Sequence, residues 1–349
     1  RRVALRPEMT PSLARMVMAR ASALPTPIKW FSIPQCWRYE RTQRGRGREH
    51  YQWNVDIWGS TGIEADVELL AVLCSFLGRV GLAPAEVSIR VSSRKVLQEV
   101  LDSVGVAGEQ FAAVCIVVDK LGKLPPDEAA AQLGKLGLDN TAVATIQRVL
   151  GLRDLDTLAA ALGDDSGAVA ELRSLWALAE GYGLTEWLEF DGSIVRGLAY
   201  YTGPVFEAHD RHGELRAVCG GGRYDRLLSS FGGKDLPATG FGFGDMVILE
   251  LLKDRGRLPQ LAGSVQDVVF ALNPELRPAA MDVAGRLRVQ GRSVDLVLDE
   301  KRLKWALKHA DRCGAERLLL LAPKEWERGL VKVRDLASGA ESEVVPDAL

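Results

Sequence analysis

The sequence predicts an α+β protein: an antiparallel sheet with flanking helices, interrupted by a helical insertion and followed by a small α/β domain. Three observations carry this. Residues 28–59 fall into short runs rich in aromatic and β-branched side chains, strand patterns of the same kind return after residue 186, and strands and helices alternate past Pro259. At 349 residues the chain exceeds the roughly 250–300 at which one hydrophobic core stops growing, so two or three domains are expected.

In order, Leu13, Met16 and Val17 sit at helical spacing behind Thr10-Pro11, a cap followed by proline, and predict a helix over 10–20. Ile28 to Ile33, Gln35 to Glu40 and Tyr51 to Trp58 predict antiparallel strands, the last two joined by a long Arg/Gly loop. Thr61 to Val80 is an amphipathic helix and Val87 to Val91 a strand. Residues 92–185 are rich in Ala, Leu, Lys and Glu, broken at Leu124-Pro125-Pro126 and at 163–167, and predict an all-helical insertion. Strands resume at Leu188 to Phe190, Gly203 to His209 and Leu215 to Cys219. After them come strand Val268 to Ala271, helix Arg277 to Val289, strand Val294 to Val297, helix Lys301 to Cys313 and strand Arg317 to Leu321, an alternation that predicts a largely parallel sheet.

With 44 basic and 46 acidic side chains the net charge is −2, so a nucleic-acid partner would need a local basic surface. Five scattered cysteines without a CxxC pair disfavour a disulfide framework or a Cys-rich zinc site. His50, His209, His212 and His309 are too dispersed for a ligand set, so no metal is assigned to them. The best apolar runs, such as Leu318 to Ala322, are strand-length, which disfavours a membrane-spanning helix. The opening Arg1-Arg2-Val3-Ala4-Leu5 has no initiator Met and reads as the middle of a strand, so an N-terminally incomplete fragment is expected.

Four short pieces carry chemistry. Arg38, Arg41, Arg44, Arg46 and Arg48 lie within eleven residues, and guanidiniums so gathered fit either a solvated hairpin tip or a phosphate-chelating loop. Gly45 and Gly47 favour the second, as does strand alternation that would turn Arg38 and Glu40 to one face. Val195 to Thr202 sets Arg196 among glycine and two tyrosines. Gly220-Gly221-Gly222-Arg223-Tyr224-Asp225 allows close packing of something flat or charged against its backbone. Gly240-Phe241-Gly242-Phe243-Gly244 reads as a strand entering a helix.

Together and in this order the pieces resemble the class II aminoacyl-tRNA synthetases, and among them the histidyl-tRNA synthetases of the plant and algal organellar branch. Leu5-Arg6-Pro7-Glu8-Met9-Thr10 is similar to the family's R-P-E-x-T segment, and Trp37 to Glu49 to its motif 2. Val195 to Glu207 is similar to its histidine signature, and Gly220 to Asp225 to its G-G-G-R-Y-D. The resemblance implies the class II antiparallel sheet with a C-terminal α/β anticodon-binding domain. It also implies ATP-dependent activation of histidine to histidyl-adenylate and transfer to the histidine tRNA. Residues 1–91 and 186–258 would be the catalytic core, 92–185 the helical insertion and 265–349 the anticodon-binding domain.

By the same resemblance Arg38 would hold the ATP α-phosphate and the histidine carboxylate, Glu40 the adenine amino group and Arg46 the outer phosphates. Glu8, Thr10, Gln52 and Asp56 would surround the α-amino group and substrate. Arg196 would be the catalytic cation, and Tyr200, Tyr201 and Tyr224 would line the imidazole pocket. Mg2+ is implied with ATP. Two positions depart from the pattern: Gly244-Asp245-Met246-Val247 stands where G-L-E-R is usual, leaving Val247 at the place of an arginine, and Ala199 stands where many members have Asp.

Lys301, Lys304 and Lys308 recur at i, i+3 and i+7, which fits a solvated helix face or, in an anticodon-binding domain, a tRNA-phosphate stripe. Motif 1, which builds the family's dimer interface, would precede residue 1, so a homodimer is expected of the full-length protein. Cytoplasm and organelle (chloroplast or mitochondrion) both stay open. The competing reading is the non-catalytic synthetase-like regulatory subunit of an ATP phosphoribosyltransferase, which lacks the anticodon domain and erodes the arginines. Arg38, Arg196 and the domain after 265 argue against it.

Overall fold

In the computed structural model, which describes residues 2–106, 109–118, 124–163, 165–194, 200–213, 215–259 and 265–349, the chain divides into two compact units, Arg1–Leu258 and Pro259–Leu349. The first opens with helix α1 (Thr10–Arg20), whose cap falls one residue earlier than the sequence indicates, at Met9. Strands β1 (Ile28–Ser32), β2 (Gln35–Trp37) and β3 (Glu49–Trp58) follow, then helix α2 (Glu64–Arg79) and strand β4 (Val87–Ser93). Residues 38–48 are a loop closed by the Gln43–Arg46 bridge, and strand structure ends at Trp37 rather than Glu40.

Six helices come next: α3 (Arg94–Ser103), α4 (Glu109–Val118), α5 (Pro126–Lys135), α6 (Asn140–Leu150), α7 (Leu155–Leu162) and α8 (Gly167–Gly181). Their starts are written in the sequence. Ser93, Asp139, Asp154 and Ser166 each accept a backbone N–H of the first turn, and proline opens α5. The apolar stripes of these helices join the sheet in one continuous core, where Val96, Leu97, Ile146 and Leu172 cluster with Ile89, Val91 and Phe206. None of the helices among the described residues is long and apolar enough to cross a membrane.

Strands β5 (Leu188–Phe190), β6 (Pro204–Asp210), β7 (Cys219–Arg223) and β8 (Ala238–Gly244) complete the sheet, and helix α9 (Asp245–Asp254) leaves it. The order among the described residues is β1-β3-β8-β7-β6-β4-β5 with β2 on β3, antiparallel throughout except for the parallel β4–β5 pair. The strand expected at 215–219 lies instead at 219–223, through the three glycines. Glycine is a poor strand former, but here the neighbours leave no space for anything larger: a Cβ on Gly222 would come 2.9 Å from Val205 Cγ1 and 3.0 Å from Tyr201 Cδ1. The close packing foreseen for this turn is therefore with the protein's own strands.

The second unit contains strand β9 (Asp267–Ala271), helix α10 (Arg277–Val289), strand β10 (Val294–Leu296), helix α11 (Leu303–Cys313), strand β11 (Arg317–Leu321), short helix α12 (Pro323–Glu327), and strands β12 (Val331–Asp335) and β13 (Glu341–Val344). The sheet order is β10-β9-β11-β12-β13. Its first three strands are parallel, as the alternation predicts, but β12 and β13 run antiparallel. A short turn containing Gly339 at φ 73° joins them, and so short a connection permits only a hairpin. Apolar clusters cover both faces, one with α10 and one with α11.

Candidate active site

Strand alternation builds the floor of the site. On β3, His50, Gln52, Asn54 and Asp56 point to one face, while Trp53, Val55 and Ile57 point into the core. Antiparallel register sets Gln52, Asn54 and Asp56 opposite Gly244, Gly242 and Gly240 of β8. A Cβ on Gly242 would lie 2.6 Å from Gln52 Nε2, so the glycines on this face make room for the polar side chains. Phe241 and Phe243, on the other face, pack edge-on against Trp53. The Gly-Phe alternation thus separates a polar site face from an aromatic core face.

Above the floor is an open cavity of about 250 Å³. At one end stand Glu8, Thr10, Arg38, Gln52, Tyr200 and Tyr201, and at the other Arg46, Arg216, Met246 and Val247. Backbone pairing of Trp37 N–H to Arg6 O fixes the segment before α1 beside β2, and Arg38 Nε donates to Pro7 O at 2.9 Å. Arg38 Nη2 also reaches Gln52 Oε1 at 3.4 Å, and Gln52 Nε2 donates to Asn54 Oδ1 at 3.0 Å. Burial pushes the Glu8 carboxyl above its ordinary range, with Arg38 pulling the other way. Burial and then Arg38 hold the His50 imidazole below its own, favouring the neutral ring.

Three tyrosines form a cluster, with ring centroids 5.1 Å apart for Tyr200–Tyr201 and 5.7 Å for Tyr200–Tyr224. Tyr200 hydrogen-bonds Thr10. Tyr224 and Asp56 are each 2% exposed, and the Tyr224 hydroxyl donates to Asp56 Oδ1 in a short contact. Neither is among the residues that line the open cavity, although Tyr224 packs against Tyr200, which does. The other carboxylate oxygen, Asp56 Oδ2, is buried with no hydrogen-bond partner. Burial pushes the Asp56 carboxyl up to about 7, against the lowering effect of Tyr224.

Of the Arg-rich loop, Arg38 and Arg46 line the cavity and the others do not. Arg44 is tied to Glu250 and Asp254 of α9, and Arg48 stacks over Tyr39 at 4.7 Å. Five converging guanidiniums become two because the loop needs its own anchors. Arg38 and Glu40 share the cavity although no strand holds them: Arg38 N–H bonds Arg48 O, and Glu40 N–H turns back to Arg38 O. Glu40 and Arg46 form a close ion pair with each other. In the Gly-rich motif Arg223 is structural, a buried guanidinium paired with Asp66 of α2 and donating to Ser60 O and Gly62 O at 3.0 and 2.7 Å. Arg196 lies outside the described residues.

Sequence reasoning missed His50, Asn54 and Arg216, while Met246 and Val247, singled out as a departure from the family pattern, line the cavity. The first two are legible in the period of two on β3, since they share a face with Gln52 and Asp56. Arg216 reaches the cavity through a loop and carries no such signal.

The chain matches a family model described as histidyl-tRNA synthetase over residues 1–245 and one described as an anticodon binding domain over residues 266–349. The chain belongs to the histidyl-tRNA synthetase family. A chloroplastic/mitochondrial histidine–tRNA ligase of Arabidopsis thaliana is 52% identical over 99% of this chain and 71% of its own length. A histidine–tRNA ligase of Opitutus terrae is 41% identical over 99% of this chain and 80% of its own. The crystal structure of a histidyl-tRNA synthetase from Nostoc sp. PCC 7120 superposes with a TM-score of 0.78 at 24% identity, covering 99% of this chain and 82% of that one. The fold is accordingly that of a class II synthetase, and the regulatory-subunit reading is not favoured.

In the second unit of this histidyl-tRNA synthetase-family chain the basic stripe is shorter than its spacing suggests. Lys304 and Lys308 are exposed on α11, but Lys301 precedes the helix, pairs with Asp299 at 3.3 Å and lies over the Trp305 ring. Trp305 stacks on His309, centroids 4.6 Å apart. One histidine does meet other ligand-type groups there: Asp295, His309 and Cys313 place donor atoms within 4.8 Å of one another. Both His309 ring nitrogens already have hydrogen-bond partners, Asp295 at 2.6 Å and Arg312 at 2.9 Å.

Proposed function

We propose that the cavity of this histidine–tRNA ligase binds histidine and ATP side by side and joins them as histidyl-adenylate before transfer to tRNA. A histidine carboxylate oxygen attacks the α-phosphorus of ATP, the bond to the β-phosphate oxygen breaks, and pyrophosphate leaves. Two anions must meet, so the site has to supply positive charge where charge accumulates. The observation that carries the reading is that Arg38, beside Glu8 and Gln52, lines the same cavity as Arg46 and is near enough for the two cations to act on each other. From there one guanidinium can serve both the carboxylate and the α-phosphate, with Arg196 as the second cation of the resemblance.

Glu8, Thr10 and Gln52 would hold the α-amino group and substrate, and Tyr200 and Tyr201 would wall the imidazole. Tyr224 and Asp56 would act with them, and the unpartnered Oδ2 of Asp56 awaits a donor such as an imidazole N–H. Such a site rejects analogues lacking that group, because the buried acceptor would stay unpaired. Glu40 would receive the adenine amino group and Arg46 the outer phosphates, which requires their mutual ion pair to open. Mg2+ fits as an ion arriving with ATP. The carboxylates lining the cavity, Glu8 and Glu40, both stand beside arginines, so phosphate oxygens and water would supply most of its ligands while it neutralises the leaving pyrophosphate.

We assign 1–91 and 186–258 to the catalytic core, 92–185 to the insertion and 265–349 to anticodon binding, with Lys304, Lys308 and more weakly Lys301 on tRNA phosphates. A homodimer is proposed for the full-length protein. The edge strand β1 leaves Phe31 72% exposed, a surface that a partner would cover. An organellar address is the reading favoured by the Arabidopsis relative's name. The test of the site is kinetic: Asp56→Ala should raise the KM for histidine more than that for ATP in pyrophosphate exchange. An effect confined to ATP would transfer Asp56 to the nucleotide side.

A further inference from the structure

Three arginines line the cavity, and the roles above occupy two of them. The third, Arg216, stands on the segment that leads into β7. Its Nη2 donates to Gln43 Oε1 at 3.3 Å, which ties it to the same loop that carries Arg46. No carboxylate pairs with Arg216 among the described residues, whereas Arg46 is held by Glu40 and Arg44 by Glu250 and Asp254. The proximity of the three cations registers on Arg46, whose pKa is lowered first by burial, then by Arg216 and then by Arg38. Guanidiniums gathered in one concave surface repel each other, and a polyanion in their midst reverses the sign of that energy.

The opposite side of this end is apolar. Val247 Cγ2 lies 3.3 Å from where a Cβ on Gly45 would stand, and Met246 Cε lies 3.4 Å from the equivalent point at Gly47. The start of α9 therefore presses aliphatic and thioether atoms against the loop and brings no cation. Glycine at 45 and 47 lets the loop and the start of the helix approach this closely, since a larger residue would crowd Val247 and Met246. Positive charge at this end must come from the loop itself and from the β7 side, and on the β7 side Arg216 is the lining cation.

We propose that Arg216 binds the β- and γ-phosphates of ATP, supplying from the β7 side the charge that Val247 does not supply from α9. Its planar fork can take two phosphate oxygens at once, and being free of a carboxylate it engages the nucleotide without first breaking an ion pair. Gln43 holds the fork toward the cavity. The assignment rests on the reading of the cavity as an ATP site and adds a residue to it.

The test uses the full chain with Arg216→Gln, which keeps a partner for Gln43, and Arg216→Lys, which keeps the charge. Histidine-dependent pyrophosphate exchange gives the KM for ATP, pyrophosphate and histidine, and calorimetric titration gives the affinities for ATP and AMP. For Arg216→Gln, the KM for ATP and for pyrophosphate should rise by about 10- to 100-fold, the scale of one charge-assisted contact. Histidine KM and AMP affinity should stay within about twofold, and Arg216→Lys should recover part of the loss. Equal weakening of ATP and AMP, a parallel rise in histidine KM, or unchanged ATP kinetics would each overturn the assignment. Absence of histidine-dependent exchange in the unmodified chain would instead bring down the ATP-site reading itself, and the assignment with it.

Discussion

Two glycines on neighbouring strands, Gly242 of β8 and Gly221 of β7, should give opposite phenotypes when changed to alanine. At Gly242 the added methyl would come 2.6 Å from Gln52 Nε2 and 3.1 Å from its Cδ, so the flexible end of Gln52 must swing away. Swinging costs the contacts of Gln52 to Arg38 and Asn54, at 3.4 and 3.0 Å. A contact to a charged group and one between neutral groups together contribute about 2–4 kcal/mol, so kcat/KM for histidine should fall by roughly 30- to 1000-fold. Fold stability should fall by less than that, because Gln52, Arg38 and Asn54 line an open cavity where water can take up the separated groups. At Gly221 the methyl would meet the Gly240 carbonyl and Phe241 Cβ, and would stand 2.8 Å from Phe206 Cζ, all backbone or buried core. Overpacking of that kind costs about 1–3 kcal/mol or more, which lowers Tm by about 2–12 °C in a unit of this size. Calorimetry and pyrophosphate exchange on both variants decide the matter. A Gly242→Ala protein with normal histidine kinetics, or a Gly221→Ala protein as stable as its parent, would refute the division into a site face and a core face.

Three other outcomes follow from the same geometry. Arg223→Met leaves Asp66 without its buried partner and should destabilise the first unit by about 3–5 kcal/mol in denaturant titration, and a loss under about 1 kcal/mol would contradict the structural role of Arg223. Burial raises Asp56 to about 7 and Asp66 to about 6, so the stability tied to their protonation is full below about pH 4 and is lost as pH rises through 6 to 7; Asp56→Asn should therefore flatten the decline of Tm between pH 5 and 8, and parallel curves would count against a raised Asp56. Replacing Lys304 and Lys308 by Ala should reduce the salt dependence of tRNA binding while leaving pyrophosphate exchange intact, and an unchanged slope would return both to a merely solvated helix face.

The sequence makes some of this legible and hides the rest for identifiable reasons. Helix starts at Ser93, Asp139, Asp154 and Ser166 are local hydrogen-bond chemistry, and β9, α10, α11 and β11 announce themselves by periodicity. The strand through Gly220 to Gly222 is not legible, because its residues are chosen for what surrounds them rather than for their own preference. Alternation on β3 could have drawn His50 and Asn54 into the site alongside Gln52 and Asp56. The division of labour within the Arg-rich loop could not be read: only folding reveals that Arg44 is spent on α9, that Arg46 faces Glu40 and that Arg216 joins them from another loop. The resemblance groups Tyr224 and Asp56 with the substrate residues, but their burial and mutual hydrogen bond are tertiary facts.

Above all, we propose that Arg38 serves carboxylate and α-phosphate together in forming an adenylate. Exchange of labelled pyrophosphate into ATP, with and without histidine, tests it most directly when run on the unmodified chain and on Arg38→Ala. Exchange should require histidine and fall by roughly 10²–10³ in the variant, the scale of removing one preorganised donor to developing charge. Exchange independent of histidine, or undiminished without Arg38, would contradict it.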